Sequence, residues 1–488
     1  MSSRTFADTS INLDRYNTPD MRLIMKFGGR AVDSGEKVLH VANLIKNYKN
    51  RGREIVAVFS AVDGMTDEIL RVSESVKKGN KTTIEDFLVK TRDAHVKIIE
   101  YSIKNKGLKS KVMDIIEKLL SEMANLFNGI VILSEVTPKA LDYLLSFGER
   151  LLAPIMVFTL LDLGIEAVFL TGKEAGILTD SNFGEARPLM DTTKLRLKHN
   201  IEPILQSNKI PVITGFIGAD QNGNVTTLGR GGSDYTATII GASVEADEVY
   251  LWGDVDGLLT ADPKIVKNSR VLKEVSFAEA TELSLFGAKY MHPRALEPVL
   301  DTKISIHIRN TFNLDHKGTI ISKKTSRSAQ KIVKSIIAIR HTALIDVSGG
   351  VMVGTPGTAA RIFDALAKKK VNIMMISQSP SESSISMVVK KNDLDTATTT
   401  LDLTLLGTVI RNLKVNDDVA VIAVVGSGMR GIKGVAAKVF SSVAKNNINV
   451  IMIAQGSSEL NLAFVVNNSD CGKAVISLHD SFELDKID

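Results

Sequence analysis

The chain of 488 residues has one cysteine, Cys471, and only 5% of its residues are aromatic. A single cysteine excludes an internal disulfide and a cysteine-ligated metal site, and it is typical of a reducing, cytoplasmic compartment. Long apolar runs are also missing, because the longest, 151–161, is about half of the roughly 20 residues that cross a bilayer. Residues 1–20 contain three aspartates and no apolar segment, so we predict a polar tail and no signal or transit peptide.

An excess of charge of one sign is absent too. Lysine and arginine number 60 and aspartate and glutamate 55, which leaves a scattered net charge of +5. No basic stripe is interleaved with aromatic residues, so the sequence does not favour nucleic acid binding. The spacing Gly-x4-Gly-Lys-Ser/Thr of a Walker A loop does not occur, and no cluster of metal-ligating residues stands out. We therefore predict no metal site that the protein builds by itself.

The most informative feature that is present is a glycine loop at residues 227–234, Thr-Leu-Gly-Arg-Gly-Gly-Ser-Asp. An apolar strand is predicted before it, at 210–217, and a helix rich in small residues after it, at 235–242. A glycine turn that opens a helix presents unpaired N–H groups and the positive end of the helix dipole to an anion. Arg230 can hold a planar carboxylate or phosphate through two parallel hydrogen bonds, and Asp234 can orient a lysine or a magnesium ion.

A second glycine turn lies near the start of the chain. Residues 23–27 form a short predicted strand that contains Lys26, and Gly28 and Gly29 follow it directly. A helical pattern then runs from Ser34 or Gly35 to residue 47. A lysine at such a strand end can neutralise the charge that develops on a phosphoryl group during transfer.

Strand and helix patterns alternate from residue 21 to about 325. This alternation predicts a three-layer α/β/α sandwich on a mainly parallel sheet, in which ligands bind at the carboxyl ends of the strands. Both glycine loops follow strands, so they can share one site. The predicted strands are 55–59, 167–170, 211–213, 248–252 and 304–308, and the long helical patterns are 83–105, 110–128 and 139–163.

The C-terminal part contains a hidden repeat. Residues 354–389 align without a gap to 431–466, with identical pairs such as Gly354 and Gly431. Each copy is predicted as a βαββ module of ferredoxin-like type, and such a pair is more suited to sensing than to catalysis. We place the first module at 335–412, which 475–488 could complete, and the second at 416–474.

One motif within the repeat has an alternative interpretation. Gly426-Ser-Gly-Met-Arg-Gly431 matches the Gly-x-Gly-x-x-Gly pattern of dinucleotide sites. Such a site needs an acidic residue at the end of the second strand, but the strand predicted there leads to Gln455-Gly-Ser-Ser. The repeat accounts for these glycines better than a cofactor site does.

The ordered motifs of the chain resemble those of aspartate kinases in the amino acid kinase family, followed by two ACT regulatory domains, over about residues 21–480. The resemblance implies transfer of the γ-phosphoryl group of ATP, with Mg²⁺, to the β-carboxylate of L-aspartate. The product would be 4-phospho-L-aspartate, in the first step of lysine, threonine and methionine biosynthesis. The resemblance also implies a monofunctional, cytoplasmic, feedback-regulated enzyme that forms a homodimer or homotetramer through its ACT domains. The motifs are Gly229-Arg-Gly-Gly-Ser-Asp234, Trp252-Gly-Asp-Val-Asp-Gly257, Thr260-Ala-Asp-Pro263, Phe286-Gly-Ala-Lys289 and His292-Pro293.

The resemblance also assigns residue roles. The implied catalytic residues are Lys26 and Asp234, and the implied aspartate-binding residues are Thr66, Glu149, Arg230 and Ser233. The implied nucleotide-binding residues are Lys26, Gly28, Gly29, Gly253, Asp254, Leu259, Asp262, Lys264 and Lys289. Glu149 is expected inside a helix, where it would receive the substrate ammonium; the alternative is a solvated glutamate paired with Lys139 or Arg150. Asp262-Pro263 could instead start a simple turn, and His292 is expected to stabilise a turn.

The resemblance further implies an amino acid effector bound by the repeat. The implied contacts are Gly354, Gly357, Asn372, Gln378, Ser381 and Glu382 in the first copy and Asn449 and Gln455 in the second. Lysine-sensitive relatives tend to offer an aspartate at the position of Met374. Threonine is therefore favoured over lysine, with both left open.

The chain departs from the family pattern at several positions. Arg30 and Ala31 stand where threonine and serine are usual, and Asp67 replaces an asparagine. Gly253 and Leu259 also differ from the residues usual in the family, and both are expected on the nucleotide side of the site. Two alternatives to an active aspartate kinase therefore stay open. One is a catalytically weakened amino acid sensor, and the other is a kinase for another small acid, such as acetylglutamate or a nucleoside monophosphate.

Overall fold

A computed structural model of the chain describes residues 21–285, 291–323, 325, 331–349 and 352–486. The predicted tail 1–20 and the predicted nucleotide contact Lys289 lie outside these residues. The chain divides into two compact units: 21–257 with 291–323, and 258–285 with the residues described from 325 onward. The sequence predicts one catalytic domain over 21–325, whereas the structure groups 258–285 with the C-terminal residues.

The elements are numbered along the whole chain. The strands of the first unit are β1 (Arg22–Phe27), β2 (Glu54–Phe59), β3 (Ala167–Leu170), β4 (Ile210–Thr214), β5 (Ile217–Ala219), β6 (Val225–Thr227), β7 (Glu248–Gly253), β9 (Ser305–Asn310) and β10 (Thr319–Ser322). Its helices are α1 (Gly35–Asn50), α2 (Met65–Lys77), α3 (Thr82–Ser102), α4 (Lys106–Leu133), α5 (Pro138–Leu145), α6 (Phe147–Asp162), α7 (Gly172–Ala175), α8 (Met190–Gln206) and α9 (Gly232–Ser243).

The main sheet of this unit is mostly parallel, as predicted. Its strands lie in the order β3-β4-β2-β1-β7-β9-β10, and β10 alone in this order runs antiparallel to its neighbour. Alternate residues of β1 face opposite sides: Met25 joins the core formed with α1 to α6, whereas Ile24 lies toward α9, near Gly241. Apolar residues on both faces are typical of a parallel sheet covered by two helical layers. The α/β/α prediction is therefore confirmed.

The helical pattern predicted at 139–163 is interrupted in the structure. It forms α5 and α6, with a break at Ser146, whose hydroxyl donates to the carbonyl of Tyr143 at 2.6 Å. Glu149 consequently lies in the first turn of α6 rather than inside one continuous helix. The stretch Pro138–Asp162 is long and apolar enough to cross a membrane, but 83% of its most apolar window is buried within the protein. Core packing accounts for its composition.

The second unit contains the repeat and the segment that precedes it. Its strands are β8 (Glu274–Ser276), β11 (Ser335–Ser348), β12 (Ile373–Gln378), β13 (Ser384–Lys390), β14 (Asn412–Val425), β15 (Met452–Ala454) and β16 (Asn461–Asn467). Its helices are α10 (Phe277–Leu285), α11 (Thr358–Lys368), α12 (Leu394–Leu405), α13 (Val435–Lys445) and α14 (Cys471–Ser481). The order β12-β13-β11-β14-β16-β15 forms an antiparallel sheet, and each copy is βαββα, one helix longer than predicted.

The two long strands, β11 and β14, extend across both modules. Ile345 of β11 packs in the core of the first copy, whereas Ile336, near the start of the same strand, packs in the core of the second. Val475 and Leu484 also belong to the second core. The expectation that 475–488 completes the first module is therefore wrong for its described residues, because this segment packs against the second copy.

The segment 258–285 is held to the second unit by buried polar contacts. Glu279 and Lys334 form an ion pair of 2.9 Å between side chains that are 0% and 3% exposed. Ser427 donates its amide and its hydroxyl to the other carboxylate oxygen of Glu279, at 3.0 and 2.7 Å. Burial alone would raise the pKa of Glu279, but Lys334 and these donors hold the pKa below its ordinary value. The interaction therefore stabilises the unit fully above the ordinary pKa of a glutamate and is lost as the pH falls.

We expect Glu279→Ala to lower the free energy of unfolding of this unit by about 3–5 kcal/mol, because it leaves the buried charge of Lys334 uncompensated. Urea unfolding of the whole chain at neutral pH measures the loss. The double variant Glu279→Leu with Lys334→Met should recover part of it, since it removes both charges but leaves the amides of Ser276 and Ser427 without their acceptor. Glu483→Ala, which breaks an exposed pair with Lys486, is the control and should leave the midpoint unchanged. An unaltered midpoint for Glu279→Ala would contradict the assigned role of the pair.

Candidate active site

A cleft of about 700 Å³ opens beside the carboxyl ends of β1 and β2. This is the edge of a parallel sheet at which ligands of open α/β folds bind. Both glycine loops contribute to its wall, as the sequence predicted. The predicted residues that line the cleft are Lys26, Gly29, Thr66, Glu149, Arg230, Ser233 and Asp234.

An ion pair between Lys26 and Asp234 joins the two loops. Their charged atoms lie 2.5 Å apart, and their side chains are 13% and 11% exposed. Asp234 lies in the first turn of α9, where the helix dipole favours a negative charge. The turn before this helix has positive φ at Gly229 and Gly231, 74° and 72°, a backbone conformation that favours glycine. The glycines of this loop therefore place Asp234 opposite Lys26.

The first glycine turn is held close to the neighbouring loop. The amide of Gly28 donates to the carbonyl of Trp252 at 3.0 Å. A Cβ atom on Gly29 would lie 2.7 Å from the carbonyl oxygen of Ala61, so a larger residue would not fit there without a shift of the backbone. The amide of Gly28 is thus already occupied, and of these two predicted glycines Gly29 is the one that lines the cleft.

Glu149 is a buried carboxylate with one oxygen unsatisfied. Its residue is 3% exposed, and Oε1 accepts a hydrogen bond from the amide of Ala61 at 3.1 Å. Oε2 has no hydrogen-bond partner in the described part of the chain. Burial raises the pKa of Glu149 to about 8, against the effects of the Ala61 amide and of the charge on Lys26. An ammonium group in the cleft would satisfy Oε2 and favour the ionised form.

The alternative reading of Glu149 as a solvated helix residue is not supported. Arg150 pairs with Glu122 at 3.0 Å and stacks over the ring of Phe147. Gly148 lets α6 approach the loop after β2, since a Cβ there would lie 2.7 Å from that of Ala61. This close approach carries Glu149 into the cleft wall.

Gly215 and Phe216, which follow β4, pack against the start of α9. A Cβ on Gly215 would lie 2.6 Å from the Cβ of Ser233, so this glycine allows Ser233 to pack against the end of β4. Phe216 follows with φ of 67°, and its amide donates to the hydroxyl of Thr236 at 3.0 Å. A non-glycine residue in this conformation is typical of strained segments near functional sites. Phe216 lines the cleft; it belongs to the motif Thr214-Gly-Phe-Ile-Gly218 of the resemblance, but the sequence analysis gave it no role.

His292 contacts the same loop from another segment. Its Nδ1 accepts a hydrogen bond from the amide of Arg294 at 3.3 Å, so it caps the turn that begins at Pro293. A Cβ on Gly231 would lie 2.3 Å from the Cβ of His292. The residue therefore packs against the glycine loop and stabilises a turn, in agreement with the expectation from the sequence.

The predicted nucleotide contacts are divided between the two units. In the first unit, Asp254 pairs with Arg30 at 2.6 Å, and the carbonyl of Gly253 accepts from the amide of Thr311 at 2.8 Å. Leu259, Asp262 and Lys264 belong to the second unit. There Asp262 accepts a hydrogen bond from the amide of Lys264 at 2.8 Å, which is the geometry of the simple turn that the sequence left as an alternative.

One departure from the family pattern, Asp67, lies in the wall of the cleft, and two others, Arg30 and Ala31, lie in the turn that begins at Gly29. Asp67 lines the cleft, where it adds negative charge on the side of Thr66. The Arg30 side chain is 60% exposed, and its partner Asp254 is 32% exposed. Ala31 is fully buried in the main core, so the small side chain fits the packing there.

The expected effector contacts have equivalent geometry in the two copies of the repeat. The carboxylate of Glu382 accepts from the amide of Gly354 at 3.0 Å, and that of Glu459 accepts from the amide of Gly431 at 2.6 Å. The N–H group predicted for an effector is thus already occupied by a neighbouring glutamate. In the second copy, Gln455 lines a cavity of about 240 Å³ beside this turn.

The remaining effector candidates lie near the surface of the second unit. Ser381 shares hydrogen bonds with Ser379 and Ser383 at 3.0 and 2.7 Å. Gly357 has φ of 86° and directly precedes α11. Four expected contacts are side-chain amides, and all four residues are exposed: Asn372, Gln378, Asn449 and Gln455.

Comparison with known proteins agrees with this arrangement. Residues 21–310 match the amino acid kinase family, and residues 345–404 and 422–482 match the ACT domain. Aspartokinase 1, chloroplastic, of Arabidopsis thaliana is 30% identical over 471 residues, which cover 94% of this chain and 80% of that protein. The bifunctional aspartokinase/homoserine dehydrogenase 1, chloroplastic, of the same plant is 30% identical over 98% of this chain, which spans only 53% of that relative.

Solved structures give the same result. E. coli aspartokinase III in complex with aspartate and ADP superimposes with a TM-score of 0.80 at 26% identity, covering 94% of this chain and 99% of that one. Its complex with lysine and aspartate gives a TM-score of 0.78 at 27% identity. The family match extends over more than half of the residues. The chain therefore belongs to the amino acid kinase family, as a relative of the aspartokinases that carries ACT domains after its kinase segment.

Proposed function

We propose that the chain is an aspartate kinase, which transfers the γ-phosphoryl group of ATP to the β-carboxylate of L-aspartate and forms 4-phospho-L-aspartate. This reaction would be the first step in the synthesis of lysine, threonine and methionine. The observation that carries the proposal is one cleft that holds the Lys26–Asp234 ion pair together with Arg230 and the unsatisfied oxygen of Glu149. Such a cleft offers the cation of Lys26 to a phosphoryl group. It offers Arg230 to the carboxylate and Glu149 to the ammonium of a free amino acid.

The acceptor side of the cleft fits an amino acid. Arg230 can grip the α-carboxylate through two parallel hydrogen bonds. Glu149 can receive the α-ammonium at Oε2, and Thr66 and Ser233 add hydroxyl groups to the same wall. The aspartate bound in E. coli aspartokinase III supports this choice of acceptor. A kinase for acetylglutamate is less suited, because an acetylated nitrogen has no positive charge to offer Glu149.

The phosphoryl side of the cleft requires little proton chemistry. The attacking carboxylate of aspartate is already ionised at neutral pH, so no strong general base is required. Lys26 can neutralise the developing charge on the transferring group, while Asp234 holds the lysine in place. The backbone of Gly29, which lines the cleft, can approach the nucleotide phosphates. Alignment and charge neutralisation would supply most of the lowering of the barrier.

Magnesium is the expected companion of ATP at this site. In the described part of the chain, no group of three or more histidine, cysteine, aspartate or glutamate side chains could enclose a metal ion. Mg²⁺ commonly binds through one or two carboxylates, waters and substrate phosphates. Asp234 is the carboxylate present beside Lys26 that could hold the ion or one of its waters. When bound, Mg²⁺ would neutralise charge on the phosphates.

Regulation by an amino acid through the ACT domains is part of the proposal. The two copies and their glycine turns support it, as does the lysine complex of E. coli aspartokinase III. Met374 lies in β12, where an aspartate would suit lysine, so we favour threonine as the inhibitor. A homo-oligomer built through these domains and a cytoplasmic location remain expectations from the sequence.

A catalytically weakened sensor is the second candidate. The pair between Arg30 and Asp254, 2.6 Å apart, favours it, because an arginine stands where the family usually has threonine. If Arg30 kept Asp254 from the nucleotide, turnover would be reduced while effector binding remained.

A hydroxylamine assay separates the two candidates. With saturating ATP, Mg²⁺ and aspartate, we expect the chain to form an acyl phosphate that hydroxylamine traps as the hydroxamate. Lys26→Ala and Asp234→Ala should each lower kcat by about 10²–10³-fold, since each removes part of the preorganised charge at the phosphoryl group.

Lys198→Ala is the matched control, because Lys198 pairs with Glu245 on the surface through side chains that are 54% and 72% exposed. It should turn over like the unchanged chain. Hydroxamate that persists in Lys26→Ala would refute the site assignment, and none from the unchanged chain would favour the sensor.

The raised pKa of Glu149 makes acceptor binding depend on pH. A protonated carboxyl cannot pair with the substrate ammonium, and the pKa of Glu149 is about 8 in the empty cleft. The apparent KM for aspartate should therefore fall about eightfold between pH 7 and pH 8.5, as the ionised fraction rises.

Glu149→Gln should have a high KM for aspartate that does not change over this range. The KM for ATP should not change with the ionisation of Glu149 in the unchanged chain, because Glu149 lies on the acceptor side. It should show no such change in Glu149→Gln either. A KM for aspartate that still falls with pH in Glu149→Gln would show that another group titrates.

A further inference from the structure

Asp142, in α5, is a buried carboxylate behind the cleft. It is 1% exposed, and its three hydrogen-bond donors all come from other segments of the chain. Oδ2 accepts from the amides of Thr227 and Gly184, at 2.8 and 3.0 Å. Oδ1 accepts from the hydroxyl of Thr227 at 2.8 Å. Both donor residues line the cleft.

The two donor segments also pack on each other. The amide of Ala186 donates to the carbonyl of Thr227 at 2.9 Å. A Cβ on Gly229 would lie 3.3 Å from the carbonyl oxygen of Gly184. Thr227 begins the glycine loop that contains Arg230. Thr227 is also held by Ala186 and by Ile217 of β5, and Asp142 is the partner that ties it to α5. The position of Arg230 relative to α5 therefore depends on this contact.

Asp142 is connected to Glu149 through backbone hydrogen bonds at the junction of α5 and α6. The amide of Ser146 donates to the carbonyl of Asp142 at 3.1 Å, and the amide of Arg150 donates to that of Ser146 at 3.1 Å. Glu149 lies in the first turn of α6, directly after this junction. Leu145, at the end of α5, also lines the cleft. The carboxylate thus connects the segment that carries Glu149 with the loop that carries Arg230.

The chemistry of Asp142 suits this connection. Burial raises the pKa of its carboxyl, against the effect of the donors from Gly184 and Thr227. A buried carboxylate is costly unless it is hydrogen-bonded, and here each bond is made to a wall of the cleft. Breaking these bonds would leave the buried amide and hydroxyl of Thr227 without partners, so the loop would have to shift.

We propose that Asp142 is a positioning residue that sets the distance between Glu149 and Arg230, and with it the affinity for the free amino acid acceptor. The inference rests on the proposed function, since it assigns these two residues to the ammonium and carboxylate of that acceptor. It concerns acceptor binding and not the nucleotide, because the segments that Asp142 joins lie on the acceptor side of the cleft.

Three variants test the role. Asp142→Ala removes all three hydrogen bonds, and it should raise the KM for aspartate by at least about tenfold while the KM for ATP changes less than about twofold. Asp142→Asn should restore the KM for aspartate to near that of the unchanged chain. Its amide oxygen can accept from both backbone amides, and the hydroxyl of Thr227 can turn to accept from its NH₂ group. Asp142→Ser, which keeps one acceptor, serves if Asp142→Ala does not fold, with the same split expected.

Glu248→Gln is the matched control. Glu248 is also a largely buried acid with defined partners, His307 and Tyr250, but it lies at the start of β7, whereas the cleft lies at the carboxyl ends of the strands. It should lose stability without a change in the KM for aspartate. A merely structural role for Asp142 would lower kcat with the folded fraction and leave KM unchanged, and that result would overturn the proposal. So would an Asp142→Asn variant as impaired as Asp142→Ala.

Amide hydrogen exchange keeps this inference distinct from the proposed function. In Asp142→Ala the amides of Gly184 and Thr227 should exchange at least about tenfold faster, whether or not the chain phosphorylates aspartate. No hydroxamate from the unchanged chain would refute the proposed function, while faster exchange would still support the connection. Unchanged exchange at both amides would refute the positioning role by itself.

Discussion

The ion pair between Lys26 and Asp234 is the interaction on which the site depends, because it fixes one glycine loop opposite the other. The residues are far apart in the chain, and parallel strand order brings their loops to one edge of the sheet. Partly buried pairs contribute little net stability, since desolvation offsets much of their attraction. The value of the pair is therefore chemical: it holds a cation at a defined position in a cleft from which water can be displaced by substrate.

The fold and the phosphoryl side of the site could be predicted because their signals are local. A short apolar strand followed by Gly28 and Gly29 specifies a turn at a strand end, and residues 227–234 specify a turn that opens a helix. The acceptor side was harder, because its geometry depends on contacts between distant residues. The carboxylate of Glu149 bonds to an amide 88 residues away, and that of Asp142 to one 85 residues away. Helical periodicity shows which face of a helix carries such residues, but it does not show which distant residues they form hydrogen bonds with.

The same limit applies to the second unit. Self-alignment revealed two copies, but it did not show that β11 contributes Ile336 to one core and Ile345 to the other. Nor did it indicate that segment 258–285, which reads as part of the kinase motifs, packs with the repeat through Glu279 and Lys334. Alternating apolar residues show that a strand is buried on a face, but they do not show which core each part of a long strand joins. Three predicted nucleotide contacts, Leu259, Asp262 and Lys264, consequently belong to the unit that carries the repeat.

The two buried acids of the acceptor side differ in one respect that decides their roles. Burial raises the pKa of both Asp142 and Glu149. Asp142 receives three hydrogen bonds from the protein, whereas Glu149 receives one, from Ala61, and keeps Oε2 unpaired in the described structure. A fully satisfied carboxylate has nothing to gain from a ligand, so it can only hold its neighbours in place. A carboxylate with one unpaired oxygen gains most from a cationic ligand. A dicarboxylic acid without an amino group carries no such cation. Under the proposed function, discrimination in favour of an amino acid would therefore arise from a hydrogen bond that the protein leaves unmade.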